Sequence, residues 1–204
     1  MPARTVGILI FDDVEVLDFA GPFEVFATTR YPEEGADGGD PPFRVLILAE
    51  RPAPVCCRGG LLVQPHYTIA DRPALDILVV PGGPGTRRED HNATLLNWIA
   101  AQDRQTALTT SVCTGAFLLA ARGLLDGRPA TTHWASIDRL RAAYPAVDVR
   151  ADARFVDTGH IVTSAGVSAG IDMALHVVGH LLGPEVAVAT ALRMEYVGQW
   201  QNPQ

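Results

Sequence analysis

The chain has 204 residues, of which 48% are hydrophobic and 19% charged, and its formal net charge is −7. This balance is typical of a folded globular protein, and we expect a single domain over residues 1–204. A negative chain without clustered Lys or Arg argues against nucleic acid and anionic membranes as partners. Three cysteines, two of them adjacent, do not resemble a secreted disulfide framework, so we expect a cytoplasmic protein.

Strands and helices alternate along the chain, which is typical of an α/β fold with a mainly parallel sheet between helices. Short apolar runs predict buried strands, and apolar residues at helical spacing predict helices. Gly, Asp, Glu and Pro between Tyr31 and Pro42 predict a mobile surface loop. The first predicted elements are, in order, a strand over 5–11, a helix from about Pro22, a strand over 43–49, a hairpin or two edge strands within 55–67, a strand over 76–80 and a helix over 92–102. A strand over 107–112, a helix over 115–121, a strand over 128–132 and a helix over 135–144 follow. The last elements are a hairpin of 153–156 and 160–164, a helix over 169–182 with Ser168 as the N-cap, and a helix over 184–196.

Cys113 lies between a predicted strand and a predicted helix, at a sharp turn that lifts one side chain out of the sheet. The first free N–H groups of the helix point at whatever the sulfur attacks, and the same positive helix end favours the reactive thiolate. Gly115 fits this turn because a Cβ would crowd the junction of helix and sheet. We therefore predict a nucleophilic cysteine, and assign no role to Cys56 and Cys57.

Asp18 lies in an otherwise apolar segment, LDFAGPFEVF, shortly after the first predicted strand. Its carboxylate is either exposed in a loop or positioned for chemistry at the carboxyl edge of the sheet. His133 ends another strand and is expected to reach the same edge. The sequence thus offers two candidate helpers for Cys113.

Asp172, His176 and His180 are spaced four residues apart along a predicted helix. We interpret them as the solvated stripe of an amphipathic helix, because no further ligand is spaced to complete a metal site. GVSAG at 166–170 lacks the lysine and the spacing of a phosphate loop. We expect neither a metal nor a cofactor.

Four segments in this order resemble the ThiJ/PfpI superfamily, also called class I glutamine amidotransferase-like. They are ILIFDDVEVLDFAGPFEVF near the amino end, VVPGG at 79–83, SVCTGAFLLAARGLLDGRPATTHW at 111–134 and TSAGVSAGIDMALHVVGHLLG at 163–183. Within the superfamily, LDFAGP, CTG and ATTHW resemble isonitrile hydratases and the amino-terminal domains of AraC-type regulators. The resemblance implies a flavodoxin-like three-layer α/β/α sandwich and a homodimer.

The resemblance also implies roles for individual residues. Cys113 would be the elbow cysteine, Asp18 the acid that hydrogen-bonds its sulfur, and the N–H groups of Gly83 and Thr114 the oxyanion hole. Superfamily proteases have His directly after the cysteine; here Thr114 stands there, which argues against peptidase activity. His133 matches a histidine near the cysteine in ThiJ-like members, where it either acts as a base or packs beneath the site.

Two function classes follow. One is a cysteine-dependent hydratase that converts a small-molecule isonitrile to an N-substituted formamide, with Cys113, Asp18 and Thr114 as catalytic residues. The alternative enzyme is glyoxalase- or deglycase-like and acts on reactive aldehydes. The other is a non-catalytic small-molecule or redox sensor. The AraC-type regulators continue into a helix-turn-helix region, whereas this sequence ends at Gln204, so direct DNA binding is not expected.

Overall fold

The computed structural model of the protein describes residues 2–34 and 39–201. Eleven strands and seven α-helices are formed by the described residues. The strands are β1 (Arg4–Leu9), β2 (Phe43–Ala49), β3 (Val55–Cys56), β4 (Leu62–Val63), β5 (Tyr67–Thr68), β6 (Ile77–Val80), β7 (Leu108–Val112), β8 (Pro129–Ala130), β9 (Asp148–Val149), β10 (Phe155–Asp157) and β11 (Ile161–Ser164). The helices are α1 (Val16–Thr28), α2 (Thr86–Glu89), α3 (Ala93–Asp103), α4 (Gly115–Ala120), α5 (Ile137–Ala143), α6 (Ala169–Leu182) and α7 (Pro184–Arg193).

A seven-stranded sheet forms the centre of the fold, in the order β10-β11-β7-β6-β1-β2-β5. Strands β1, β2, β5, β6, β7 and β11 run parallel, and only β10 pairs antiparallel, with β11. The inner strands β6 and β7 are buried along their whole length, which explains why they are nearly continuous apolar or Thr-rich runs. This mixed, mostly parallel sheet confirms the predicted α/β fold.

Helices cover both faces of the sheet. Helices α1, α6 and α7 pack against one another on one face, and α2, α3 and α4 pack together on the other. The result is the predicted flavodoxin-like three-layer sandwich. Because the parallel strands all end at one edge, the loops after β1, β6, β7 and β11 meet there.

Helix α1 differs from the prediction, because it begins at Val16 rather than near Pro22. Its first turn is held by the neighbouring loop, where the Glu15 N–H donates to the Gly82 carbonyl at 2.9 Å. Pro22 lies inside the helix, where its missing N–H removes one intrahelical bond without ending the helix. The early start places Asp18 in a helix and buries it, which excludes the exposed-loop alternative.

Helix α6 corrects two further predictions. Ser168 precedes the helix, but its hydroxyl makes no capping bond and instead accepts one from Arg154 at 3.2 Å. The predicted solvated stripe is also wrong, because Asp172 is fully buried. It binds Arg154, the Tyr196 hydroxyl at 3.2 Å and the Gln199 N–H at 2.7 Å, so the segment after α7 covers this part of α6.

The remaining elements are short. Strands β3 and β4 form the hairpin predicted within 55–67, while β5 joins the edge of the main sheet. The predicted loop 31–42 contains a 3-10 helix over Pro32–Glu34, and its residues 35–38 lie outside the described residues. None of the described helices is both long and apolar enough to cross a membrane.

Candidate functional site

Cys113 stands at a sharp turn between β7 and α4, as predicted. β7 ends at Val112, α4 begins at Gly115, and Cys113 between them has a φ of 57°. A Cβ on Gly115 would lie 2.1 Å from the carbonyl oxygen of Val80, so only glycine lets helix and sheet approach this closely. The predicted elbow and the reason for Gly115 are both confirmed.

The backbone of Cys113 is held from two sides. Its N–H donates to the carbonyl oxygens of Ser164 and Ala165 at 3.1 and 3.2 Å, and its carbonyl accepts a bond from the Thr132 hydroxyl at 2.8 Å. These contacts stabilise the left-handed backbone, which is uncommon for a residue with a side chain. The side chain is only 6% exposed. The sulfur is thus fixed in position and largely shielded from water.

Asp18 lies beside this sulfur and is fully buried. One carboxyl oxygen accepts a bond from the Gly82 N–H at 3.0 Å, and the other accepts one from the Val167 N–H at 3.1 Å. The Cys113 thiol lies close enough to this carboxyl group for each to shift the pKa of the other. Asp18 therefore connects the nucleophile to the loops that follow β6 and β11.

Val167 has a strained backbone at the point where its N–H meets Asp18. Its φ is 56°, a left-handed value that is a genuine outlier for a β-branched residue. Strain of this kind costs roughly 1–3 kcal/mol and persists only where the surrounding structure imposes it. Here the strained turn directs one backbone N–H at the buried carboxyl group.

Burial dominates the protonation of the pair. Desolvation raises the pKa of Asp18 from 3.8 to about 7, although its bond from Gly82 lowers it in part. Desolvation, followed by the charge of Asp18, raises the pKa of the Cys113 thiol to about 12. The expectation that the helix end favours thiolate is therefore wrong for this site, because the N–H of Thr114 offsets only part of the cost of burying a second negative charge.

Thr114 and Gly83, the predicted oxyanion-hole residues, contact each other. The Gly83 N–H donates to the Thr114 hydroxyl at 2.9 Å, and that hydroxyl also accepts a bond from the Thr86 hydroxyl at 3.0 Å. The backbone N–H of Thr114 lies near the Cys113 sulfur, whose pKa it lowers in part. The Gly83 N–H thus already has an acceptor, and the oxyanion role of both donors stays a prediction.

His133 packs against the loop that holds Asp18. A Cβ on Gly166 would lie 2.2 Å from the imidazole carbon Cδ2 of His133, so the ring lies directly on this glycine. Its Nδ1 accepts a hydrogen bond from the Ala135 N–H at 3.3 Å. This geometry favours the interpretation that His133 packs beneath the site rather than acting as a base. Its Nδ1 caps the short 3-10 helix over Trp134–Ser136.

Three contributors to the site were not predicted: the N–H groups of Gly82 and Val167 and the hydroxyl of Thr86. The glycine pair at 82–83 was the sole signal for the first. A Cβ on Gly82 would lie 2.4 Å from the Thr114 nitrogen, so glycine is needed there for close approach. Nothing in the sequence pattern marks Val167 or Thr86.

The comparisons with known proteins agree with this architecture. The sequence pattern of the DJ-1/PfpI family matches residues 4–180. The chain belongs to the DJ-1/PfpI family. A family member of known structure, a ThiJ/PfpI family protein from Pseudomonas syringae, superposes with a TM-score of 0.85 at 31% identity, covering 98% of this chain and 77% of that one.

Curated relatives within the DJ-1/PfpI family differ in function. An isonitrile hydratase from Pseudomonas putida is 37% identical over 196 residues, which are 95% of this chain and 79% of the relative. The HTH-type transcriptional regulator CdhR from Pseudomonas aeruginosa is 34% identical over 146 residues, which are 72% of this chain but only 43% of the regulator. The family therefore includes an enzyme and a regulator at similar distances from this chain, as the sequence motifs indicate.

Proposed function

We propose that the protein is a cysteine-dependent hydratase that adds water to an isonitrile and releases an N-substituted formamide. The observation that carries the proposal is the fully buried Asp18 carboxyl group, which interacts with the Cys113 thiol and has a pKa of about 7. A group with this pKa gives and takes a proton with equal ease near neutral pH. Similarity to the isonitrile hydratase over 95% of the chain supports the same reaction.

The first step joins sulfur and substrate. The S–H bond of Cys113 breaks, its proton passes to the ionised Asp18, and the sulfur electron pair forms a bond to the terminal carbon of the isonitrile. Asp18 then delivers that proton to the same carbon. The product is a thioimidate in which the former isonitrile carbon carries one hydrogen, a C–S bond and a C=N bond.

The second step consumes water. Asp18 takes a proton from water as the oxygen attacks the thioimidate carbon, and the proton passes to the nitrogen as the C=N bond becomes single. The C–S bond then breaks, and the hydroxyl proton returns through Asp18 to the sulfur. The formamide leaves, and Cys113 is again a thiol.

The occupied donor at Gly83 favours an isonitrile over an aldehyde. Attack on an aldehyde generates an alkoxide, which free N–H groups of an oxyanion hole usually stabilise. Attack on an isonitrile instead requires a proton at carbon, which Asp18 supplies. For the Thr114 hydroxyl to orient the attacking water, it must exchange its bond to the Gly83 carbonyl for one to that water.

The test is formamide formation from a simple alkyl isonitrile. We expect turnover by the wild type and by Cys57→Ser, a matched change at another buried cysteine, and none by Cys113→Ser. Circular dichroism of each variant checks folding. Asp18→Asn should lose at least a hundredfold in rate, the usual contribution of a general acid–base group being about 10²–10⁴.

Absence of turnover by the folded, reduced wild type would overturn the hydratase. Aldehyde chemistry and a sensor are the functions to test next. The single domain over 1–204, the homodimer, the cytoplasmic location and the absence of nucleic acid as a partner remain predictions.

A further inference from the structure

Arg139 is a half-buried cation that packs against the helix following the nucleophile. It projects from α5, and its guanidinium carbon lies 3.9 Å from the centre of the Phe117 ring. Phe117 lies in the first turn of α4, where its N–H bonds the Thr114 carbonyl at 3.1 Å. The guanidinium is therefore stacked on the helix that begins at the elbow, and its charge acts on Cys113.

One donor of the Arg139 guanidinium is not satisfied by the described residues. Its Nε is buried and has no hydrogen-bond partner among them. Within that same part of the chain, the guanidinium forms no ion pair, although Asp90 and Cys113 act on it electrostatically. A buried N–H donor without an acceptor is costly, and the terminal N–H groups of the guanidinium fork can bind an anion. Such a group is stabilised when an anion binds.

A second guanidinium strengthens this site. Arg87 lies close enough to repel Arg139 and is the residue after Thr86, whose hydroxyl contacts Thr114. One carboxylate, Asp90, acts on Arg139 without forming a hydrogen bond to it. The cluster thus has an excess of positive charge, although the whole chain is negative. A planar oxyanion matches the fork of a guanidinium.

We propose that Arg139, assisted by Arg87, binds a carboxylate group on the substrate and so selects electrophiles that carry an anion. The proposal names the substrate class of the hydratase described above, and to that extent rests on it. The Phe117 ring holds the guanidinium in place before the substrate arrives. Arg139 is a specificity residue, because it contacts a part of the substrate that does not react.

The binding test uses alkylation, which needs no hydratase activity. Iodoacetate and iodoacetamide are similar in size, but only iodoacetate carries a carboxylate, and comparing the ratio of their rates between variants removes their intrinsic difference in reactivity. Rates are measured at Cys113 by peptide mass spectrometry, which separates it from Cys56 and Cys57. We expect Arg139→Gln to lower the iodoacetate-to-iodoacetamide rate ratio about five- to tenfold, and Arg139→Lys to restore part of it.

Arg141→Gln is the matched control. It makes the same charge change on the same helix, but Arg141 already pairs with Asp138 at 3.3 Å, so the ratio should not move. An unchanged ratio in Arg139→Gln would overturn the proposal. So would an equal fall in both rates, which would mean that Arg139 affects only the thiol or the fold.

A second measurement separates this proposal from the hydratase. Isocyanoacetate and a neutral alkyl isonitrile of similar size are compared by kcat/KM in the wild type and in Arg139→Gln. The wild type should prefer isocyanoacetate, and the variant should lose that preference mainly through KM. If neither isonitrile reacts while the alkylation ratio responds to Arg139, the hydratase fails and the anion site stands.

Discussion

The backbone N–H of Gly83 donates to the hydroxyl of Thr114 at 2.9 Å, so a predicted oxyanion donor is bonded to a side chain of the same site. The Thr114 hydroxyl in turn donates to the Gly83 carbonyl at 3.2 Å and accepts a bond from Thr86. This reciprocal pair fastens the loop after β6 to the elbow after β7. Thr114 is consequently a structural residue as well as a candidate for placing water.

Thr114→Val should therefore destabilise the fold. Valine keeps the shape but leaves the Gly83 N–H and the Thr86 hydroxyl without this acceptor, which costs about 1–3 kcal/mol in the free energy of unfolding. Urea denaturation of wild type and variant measures the difference. Thr114→Ser, which keeps the hydroxyl, is the control and should lose less than half as much. Equal losses in the two variants would contradict this account.

The raised pKa of Asp18 predicts how stability depends on pH. An unfolded Asp18 releases its proton near pH 3.8, whereas the folded protein holds it until about pH 7. The folded state binds more protons in this window, so the contribution of Asp18 to stability is full below pH 3.8 and is lost as the pH rises through 7. At 1.36 kcal/mol per pKa unit, the loss amounts to about 4 kcal/mol.

Asp18→Asn isolates this effect. Asparagine does not titrate, so the stability of wild type minus that of the variant should fall by about 4 kcal/mol between pH 4 and pH 8. The variant also carries a constant penalty, because its amide NH₂ faces the N–H of Gly82 or Val167. Urea denaturation at several pH values measures the difference. A difference that does not vary with pH would show that Asp18 is not buried in its protonated form.

The thiol of Cys113 should react slowly with neutral alkylating agents. A pKa of about 12, against 9.0 for an ordinary thiol, lowers the thiolate fraction at pH 8 by about a thousandfold. Asp18→Asn removes the carboxylate charge and should lower the thiol pKa and speed the reaction. Iodoacetamide labelling of individual peptides across pH 7–11 measures this, with exposed Cys56 as the internal reference. A rate at Cys113 that levels off near pH 7 would refute the prediction.

The pair of Arg154 with buried Asp172 should stabilise the segment after α7. Arg154→Gln leaves a fully buried carboxylate without its cation. We expect a loss of about 2 kcal/mol, below the 3–5 kcal/mol of fully buried pairs because the Arg154 side chain is 34% exposed. Arg150→Gln breaks an exposed pair with Asp148 and should cost under about 1 kcal/mol. Chemical denaturation compares the two variants, and equal losses would contradict the prediction.

The elbow could be predicted from the sequence because its cause is local. The elbow is marked by an apolar strand that ends just before Cys113 and by a glycine two residues after it. Gly115 stands there because a Cβ at this position would collide with the neighbouring strand. The environment of Asp18 could not be predicted in the same way. Its helix starts early because Glu15 binds Gly82, a contact between residues 67 positions apart that leaves no periodic signal.

The prediction of a solvated stripe on α6 was wrong for a related reason. Four-residue spacing shows that Asp172 and His176 share a helix face, but not what covers that face. Here Arg154 and the segment around Tyr196 and Gln199 cover Asp172, while Asp157 lies 2.7 Å from His176. The pKa of the Cys113 thiol likewise depends on burial. The position of Cys113 at the amino end of a helix predicted a lowered pKa, whereas burial raises it.

The left-handed backbone of Cys113 also limits how this site can change during evolution. A β-branched side chain is strained at a φ of 57°, as Val167 is at 56°, so threonine in place of Cys113 would cost roughly 1–3 kcal/mol. Serine fits the backbone with less strain but is a weaker nucleophile. Cysteine therefore combines the backbone conformation and the reactivity that this elbow uses, and serine is the exchange that disturbs the backbone least.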